Sequence, residues 1–358
     1  MRGKTRKQPS MLALVSLESL VPPRHPLRTL KPLVDKILKD LSPVFDSMYA
    51  TDGRVSVPPE RLLKSTVLMA LYSVRSERLF CEQLGYNMLY RWFLDMDMTE
   101  KVFVPTVFSK NRERLMDHEV ASRFLAATVE TARDRGLLSS DHFSVDGTLI
   151  EAWGSMKSFR EKDDDDSDNN GFGDFKGKKR SNDTHESKTD PDAKLYRKGR
   201  GKEAKLAYMG HVLMENRHGL IVDFEVTQAN GYAERDAAIA MLDRLPGRTG
   251  TRKSRRVTLA ADKGYDAKEF VRRCRDRRVT PHVAQKKYSA IDGRTTSHSG
   301  YAASTVARRL TEKVFGWMKT TGAHRRTRFK GLRRTAFNTV LVAATLNLLR
   351  LSRIPGPA

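Results

Sequence analysis

Three carboxylates stand out by their surroundings. Asp146 sits in the middle of FSVDGTLIEAW, Phe143 to Trp153, a stretch that otherwise reads as a buried strand. A core tolerates such a group only if it is paired, bound to a cation or neutralised. Asp262 closes a second strand candidate, RRVTLAAD, and opens ADKGYD. Glu312 lies in ASTVARRLTEKVFGWMKT, which reads as one helix. At about 100° per residue, Thr305, Arg308, Glu312 and Lys319 fall within about 60° of one another. Val306, Leu310, Val314 and Trp317 take the far side. Alone, that face reads as a solvated Arg308–Glu312 pair worth a few tenths of a kcal/mol. Taken together, carboxylates on a strand, a strand end and a helix form a hard oxygen donor set suited to Mg²⁺ or Mn²⁺. Two such ions roughly 4 Å apart clamp the attacking and leaving oxygens of an in-line phosphoryl transfer. Arg308 and Lys319 would then hold phosphates beside them.

The elements that must position these residues follow from periodicity. In FSVDGTLI, Phe143, Val145 and Leu149 face one way and Ser144, Asp146 and Thr148 the other. Asp146 therefore belongs to the polar face of its strand. Two further strands, Lys205–Glu215 and Leu220–Thr227, are joined by a hairpin turn at Asn216–Gly219. A helix over Glu234 to Leu245 follows, then the strand ending at Asp262. A basic helix over Ala267–Arg278, the strand VTPHVAQ and C-terminal helices complete the order. This is the order of an α/β ribonuclease H-like domain, a mixed five-stranded sheet flanked by helices. In that topology the first and fourth strands are adjacent and parallel. Ligands of open α/β sheets gather at the carboxyl ends of strands, where Asp146 and Asp262 would meet.

Residues 25–138 read as an all-α N-terminal domain preceding the catalytic one. Leu30, Leu33, Ile37, Leu38 and Leu41 repeat at helical spacing. Ser42-Pro43 caps a short helix, Pro59 opens ERLLKSTVLMALYSV, and Ser76 caps ERLFCEQLG. Thr106 and Asp117 start two more helices, and Gly136 ends the last. These helices, strung with Arg and Lys, leave two readings open, a helix-turn-helix of a DNA-binding domain and a packing bundle, and carry no strict helix-turn-helix signature. The expected boundaries are a basic segment at 1–24, the helical domain at 25–138, the catalytic domain at 139–352 and a tail at 353–358. Within the catalytic domain, 155–203 is dense in both charges and poor in apolar residues, so a solvated, partly disordered insertion is expected. Inside it, Asp166, Asp168, Asn170 and Gly171 imitate the front of a calcium loop. The twelfth position is Gly177, which rejects that reading.

Charge points to a polyanionic partner. The chain of 358 residues carries a net +23. Residues 251–358 hold 26 Lys and Arg against 6 Asp and Glu. Phosphate neutralisation with counterion release suits such a surface. The densest basic run, HRRTRFKGLRR at 324–334, offers Arg325, Arg326, Arg328 and Lys330 as contacts to a DNA backbone. Cys81 and Cys274 have no metal-ligand spacing and read as free thiols of a reducing compartment. The longest apolar run, Ala336 to Leu351, is interrupted by Asn338, Thr339, Thr345, Asn347 and Arg350 and reads as a buried helix. The N-terminal stretch has Ser16, Glu18 and Ser19 in its apolar part and no cleavage site. A cytoplasmic protein without a membrane partner is expected.

Other residues carry weaker signals. Asp266 and Glu269 read as a solvated helix start, with second-shell metal binding as the alternative. Glu151 is a spare metal ligand candidate. Tyr265 packs or bonds a phosphate. His185, His211 and His282 lack ligand spacing. Trp317 reads as core, or as a platform for a flipped base.

The sequence resembles the DDE transposases of bacterial insertion sequences, in the family numbered five and its relatives. The resemblance covers most of the chain. It runs through QLGYNMLYRWFLDMDM, TVFSKNRERL, FSVDGTLIEAWGSMKSFR, ESKTDPDAKLYRKGRGKEAKLAYMGH, ADKGYD and EKVFGWMKT to NLLRL. It implies a catalytic and metal-holding triad at Asp146, Asp262 and Glu312. The family's signature of Tyr, two residues, Arg, three residues, Glu, six residues, Lys is met by Arg308, Glu312 and Lys319. Thr305 stands in the Tyr place, a departure that touches a DNA contact rather than the metal site. The resemblance implies a recombinase with two Mg²⁺ ions, or Mn²⁺. Water would free a 3′-OH at each transposon end, and that 3′-OH would attack target DNA. The implied partners are double-stranded DNA, as terminal inverted repeats and as target, and a second protomer in the DNA complex. Two rival readings share these residues: a nuclease that cleaves without joining, and a non-catalytic DNA-binding relative.

Overall fold

The computed structural model describes residues 15–50, 52, 55–162, 180–199, 201–246 and 256–354. Its central feature is the strand that carries Asp146, β1 (His142–Glu151). Chain order gives β2 (Phe159–Glu161), β3 (His185–Ser187), β4 (Lys194–Tyr196), β5 (Lys205–Glu215), β6 (Ile221–Gln228), β7 (Val257–Ala261) and β8 (Val279–Val283). β5 lies antiparallel to β1 on one edge and to β6 on the other. β1, β7 and β8 run parallel. The resulting order, β6-β5-β1-β7-β8, is the five-stranded ribonuclease H-like sheet. One addition was not foreseen. The short β4 pairs with the first residues of β5, on the same edge that β6 occupies further along.

Eight helices precede the sheet: α1 (Leu17–Leu20), α2 (Pro26–Asp40), α3 (Ser42–Asp46), α4 (Pro59–Leu71), α5 (Glu77–Tyr86), α6 (Met88–Phe93), α7 (Thr106–Asp117) and α8 (Val120–Asp134). Their punctuation follows local chemistry. Pro59 opens α4, and Ser76 caps α5 by accepting from the Leu79 N–H. Gly136, at φ +66°, ends α8 with its N–H on Arg133 O and the Leu137 N–H on Ala132 O, a Schellman closure. Asp117 ends α7 and does not start the next helix, and Ser42 lies inside α3 and does not cap it.

After β6 come α9 (Ala233–Asp243), α10 (Lys268–Asp276), α11 (Gly293–Thr296), α12 (Gly300–Ala307), α13 (Leu310–Lys319) and α14 (Leu332–Leu351). α9 and α10 cover one face of the sheet, where Phe143, Val145 and Leu213 join Ile239, Leu242 and Phe270. The other face, with Ile150, Tyr208 and Val212, shares one core with α14 and the N-terminal helices. α14 packs against α2, α4 and α8 on one side and β6 on the other. That explains why its polar residues Asn338, Thr339, Thr345 and Asn347 are buried with the rest. The buried amide of Asn347 clasps the Ile221 N–H and C=O of β6. Among the described residues, no helix is long and apolar enough to cross a membrane.

The expected disordered insertion needs correction. Residues 155–162 and 180–199 have defined structure: β2 pairs with β3, and β4 joins the sheet. Phe159, Ser187, Asp190 and Ala193 are buried. Asp190 and Asp192 accept from the Gly331 and Leu332 N–H groups and so cap α14. A segment poor in apolar residues is ordered here because its carboxylates satisfy a helix end. The calcium-loop imitation at 166–177 lies outside the described residues.

A second correction concerns the Glu312 helix. The chain forms two helices, α12 and α13, with Arg308 and Arg309 between them. The Thr311 and Glu312 N–H groups return to the Arg308 and Arg309 carbonyls, a tightened i to i+3 pattern. The single 100° wheel therefore fails across the joint. Val306, expected on the packed side, is 63% exposed, and Ser304 is the buried residue of α12.

Candidate active site

β1 and β7 pair in register from His142 with Thr258 to Ser144 with Ala260. Asp146 and Asp262 each follow the last paired residues, Ser144 and Ala260, by two positions, and β7 ends at Ala261. Asp262 then caps a turn of 3₁₀ helix, Lys263–Tyr265, by accepting from the Gly264 N–H at 2.7 Å. A Cβ on Gly264 would approach the Asp262 carboxylate to 2.8 Å, so a larger residue there would shift that carboxylate.

Asp146 is mostly buried, its side chain 17% exposed. Oδ1 accepts from the Gly147 N–H at 2.8 Å, and Oδ2 from the Thr311 hydroxyl at 3.1 Å. Arg308 Nη1 stands 3.8 Å from Oδ2. Burial raises its carboxyl above the usual carboxylate range, and the Asp262 charge pushes the same way. The Gly147 N–H, the Lys198 ammonium and the Thr311 hydroxyl oppose that rise. α13 is thus tied to Asp146 by Thr311, and Glu312 is the next residue. Glu312 itself is exposed, in the first turn of α13.

Four features of this region are not evident from the sequence. Lys198, from the segment expected to be disordered, donates to Gly147 O at 3.0 Å and acts on Asp146 electrostatically. Thr311 supplies the hydroxyl on Asp146. Glu234, at the start of α9, lies against Gly147: its Oε1 is 2.6 Å from where a Cβ would stand. Burial raises the Glu234 carboxyl; the Lys198 ammonium opposes that rise, and the charges of Asp262 and Asp146 add to it. Tyr265 is fully buried, and its hydroxyl has no hydrogen-bond partner among the described residues. Its pKa is raised by burial and then by Glu234, Asp146 and Asp262. The one available signal was Gly147, since glycine within a strand marks close approach by another group.

The donor set suits a hard divalent cation in kind. Asp146 lies on β1 and Asp262 just past the end of β7; the Arg308 guanidinium stands 3.8 Å from Asp146, and both carboxylates act on the buried Tyr265 phenol. Among the described residues, however, no three His, Cys, Asp or Glu side chains stand close enough together to hold an ion without side-chain movement. Glu312 would have to turn in from solvent.

The proposed DNA contacts divide. Lys319 is half-buried, its pKa lowered by burial and by the charges of Lys198 and Arg325. Arg325 and Lys330 are exposed. Arg326 is exposed, but its guanidinium donates to Ala152 O and Trp153 O. Arg328 points inward, to Val74 O and Asn338 Oδ1, so its place as a surface contact is corrected. A cleft of 660 Å³ between the end of α4 and the site is lined by Ser73, Arg75, Trp153, Lys319 and Arg325.

The remaining candidates have structural partners. Glu151 pairs with Lys205 at 2.7 Å. Asp266 is buried and not a solvated helix start; it accepts from the Lys286 and Ala290 N–H groups, both at 2.8 Å. Glu269 is exposed and pairs with Arg272. His211 and His282 are buried and bond Thr227 and Ser304. His185 stacks on Phe159. Trp317 packs against the larger core, and the Thr305 hydroxyl bonds Tyr301 O.

Two family models match the chain: "Transposase domain (DUF772)" over residues 15–114 and "Transposase DDE domain" over residues 139–348. No curated protein sequence matches. Among solved structures, the piggyBac transposase synaptic complex with hairpin DNA aligns over 92% of this chain and 75% of its own, at 10% identity and a TM-score of 0.40. A pre-cleavage Mos1 transpososome aligns over 87% and 83%, at 12% identity and a TM-score of 0.21. Similarity at that level transfers no residue role.

Proposed function

The chain belongs to the DDE-domain transposases, and we propose that it cuts DNA at the ends of a mobile element and joins each freed 3′-OH to target DNA. The finer kinship is with the insertion-sequence family numbered five, on the spacing of Arg308, Glu312 and Lys319. Asp146, Asp262 and Glu312 are the catalytic and metal-holding residues of this reading. The observation that supports it is the parallel pairing of β1 with β7, which ends at Ser144 with Ala260, two residues before Asp146 and Asp262.

Bound Mg²⁺ or Mn²⁺, two ions in this reading, supplies the positive charge that attack on a phosphodiester requires. The chain's own residues do the rest. Thr311 and the Gly147 N–H hold the Asp146 carboxylate by one oxygen each. Lys198, Lys319 and Arg325 crowd like charges at the site's edge, an arrangement that a DNA phosphate relieves. In the first step a water oxygen bonds to phosphorus and the 3′ oxygen leaves with a proton. In the second, that 3′-OH attacks a target phosphodiester, and one phosphodiester replaces another. The helices of 25–138 and the exposed part of 324–334 grip the terminal repeats, with Arg325 and Lys330 as exposed cations of the run that have no ion pair among the described residues. Two ends require two protomers on the DNA. The thiols of Cys81 and Cys274, both buried, suit the reducing cytoplasm, where that DNA lies.

The test is a strand-transfer assay. Oligonucleotides from the DNA flanking the gene, ending in 3′-OH, are mixed with plasmid, protein and Mg²⁺ or Mn²⁺. Joined product from the wild type and none from Glu312→Gln is expected. Nicked plasmid without joining would replace the transposase with a nuclease. Repeat binding without either product would leave a non-catalytic DNA-binding protein.

A further inference from the structure

The cleft between the end of α4 and the loop that joins α13 to α14 is lined by charge of one sign. Its charged side chains are Arg75, Lys319, Arg325, Arg326 and Arg328, and among the described residues no carboxylate lines it. Nor does an ion pair join Arg75, Lys319 or Arg325 to a carboxylate among those residues. Burial lowers the Lys319 pKa, the charges of Lys198 and Arg325 lower it further, and Glu151 opposes them. Between the cations the lining is apolar, from the buried Met69, Val74 and Val342. The volume of 660 Å³ is that of a site for a small molecule, about 300–1,000 Å³.

An aromatic ring stands at the same cleft. Trp153 lines it and is 50% exposed, whereas Phe159, six residues on, is fully buried. A lone exposed aromatic is ordinary on a protein surface. This one is held in place. The Glu151 N–H donates to Arg325 O, the Thr327 N–H to Glu151 O, and the Arg326 guanidinium to Ala152 O and Trp153 O. That guanidinium also lies over the indole, 5.9 Å from its centroid. The loop is anchored in turn by His324, which bonds Thr339 of α14, and by Gly322, where a Cβ would meet Met318 O at 2.7 Å. Cations for phosphate and a fixed ring for stacking are together the chemistry that recognises a nucleotide. A base inside a duplex is covered by its neighbours, so only an unpaired one can lie on the indole. From Asp146 to the end of β1 is roughly 16 Å at about 3.3 Å per residue, within reach of a strand held at the carboxylates.

We propose that this cleft binds an unpaired stretch of a DNA strand, with one base stacked on Trp153 and the flanking phosphates on Arg75, Lys319 and Arg325. The inference rests on the reading of the chain as an enzyme acting on DNA. It adds to that reading a place for single strand, apart from the duplex contacts of the terminal repeats. Arg326 and Arg328 build the wall, since their guanidinium groups donate to backbone carbonyls. A packing role for Trp153 explains neither its exposure nor the one-signed lining around it.

The experiment uses the full chain and probes of one length: a single-stranded thymidine decamer, its ribonucleotide counterpart and a DNA duplex. Binding is read from the anisotropy of the labelled probe and from quenching of the protein's tryptophan emission. The wild type should bind the DNA decamer with quenching. Trp153→Leu should weaken that binding about tenfold and leave duplex binding and the melting temperature unchanged. Trp153→Phe should keep most of the affinity, because a phenyl ring still stacks, while the quenching falls. Arg75→Ala should reduce the slope of log affinity against log salt for the decamer by about 0.7. Wild-type decamer affinity in Trp153→Leu would overturn the inference, as would an equal loss on decamer and duplex. Undiminished quenching in Trp153→Phe with an unchanged slope in Arg75→Ala would overturn it without the leucine variant. Tighter binding of the ribonucleotide decamer would make RNA the occupant and overturn it too. Duplex binding without decamer binding would remove the inference alone, and a chain that binds none of the probes would remove the DNA reading with it.

Discussion

Two carboxylates only three rungs apart on one antiparallel ladder have opposite surroundings. Glu215 on β5 stands opposite Phe143, and Asp146 on β1 stands opposite Val212. Glu215 is fully buried and accepts four backbone N–H groups, from Ser139, Arg217, His218 and Leu220, at 2.7 to 3.3 Å. It organises the hairpin between β5 and β6 and the entry to β1. Asp146 has one adjacent N–H, one hydroxyl and the Arg308 guanidinium at 3.8 Å, and is held above the usual carboxylate range by burial, with the Asp262 charge adding to the rise. The fold can satisfy a buried carboxylate completely, and does so at one end of the ladder. At the other end it leaves acidic groups short of partners and an orphaned phenol beside them. On the proposed function, that contrast separates a residue that builds the sheet from one that serves the site.

Substitution at each end should give opposite phenotypes. Asp146→Asn removes the charge and keeps the shape. DNA cleavage and joining should fall about 10³-fold or more, equivalent to about 4 kcal/mol, with end binding in gel shifts retained. Unchanged cleavage would place Asp146 outside the site and dissolve the contrast. Glu215→Gln should do the reverse. Four N–H groups lose a charged acceptor, so urea unfolding should show a loss of about 2 kcal/mol. Activity per folded molecule should hold. A Glu215→Gln protein of wild-type stability would show that the network contributes nothing net.

The smallest effect concerns the basic run, where a similar contrast holds between neighbours. Arg325 is exposed and Arg328 is turned inward. Arg325→Ala should weaken DNA binding a few-fold and reduce the slope of log affinity against log salt by about 1. Arg328→Met should lower stability and leave that slope unchanged. Equal slopes for the two variants and the wild type would mean that this run does not touch the backbone of DNA.

Strands and their order were legible in the sequence because period-two alternation and turn residues are local signals. β5 has the bounds its pattern predicts, and the adjacency of Asp146 and Asp262 follows from topology alone. What stayed hidden depends on contacts between distant residues. Arg328 belongs to a basic run in sequence but finds acceptors on Val74 and Asn338 in space. Asp266 resembles a solvated helix start until the Lys286–Ala290 loop folds onto it. The joint at Arg308 and Arg309 breaks no propensity rule, and Asp190 and Asp192 gain order only from the helix they cap. Glu234 follows Ala233 at an ordinary helix start, and only the vacancy over Gly147 distinguishes it.

The burial of α14 on all sides has a consequence for biosynthesis. The surfaces it covers, on α4, α8 and β6, leave the ribosome well before it does. α8 ends at residue 134 and α14 begins at residue 332. At about 5–20 residues per second, α8 waits roughly 10–40 s for its partner. Until then the nascent chain exposes apolar surface to chaperones and to other chains. Translation that stops short of α14 would therefore yield neither half of the molecule in folded form.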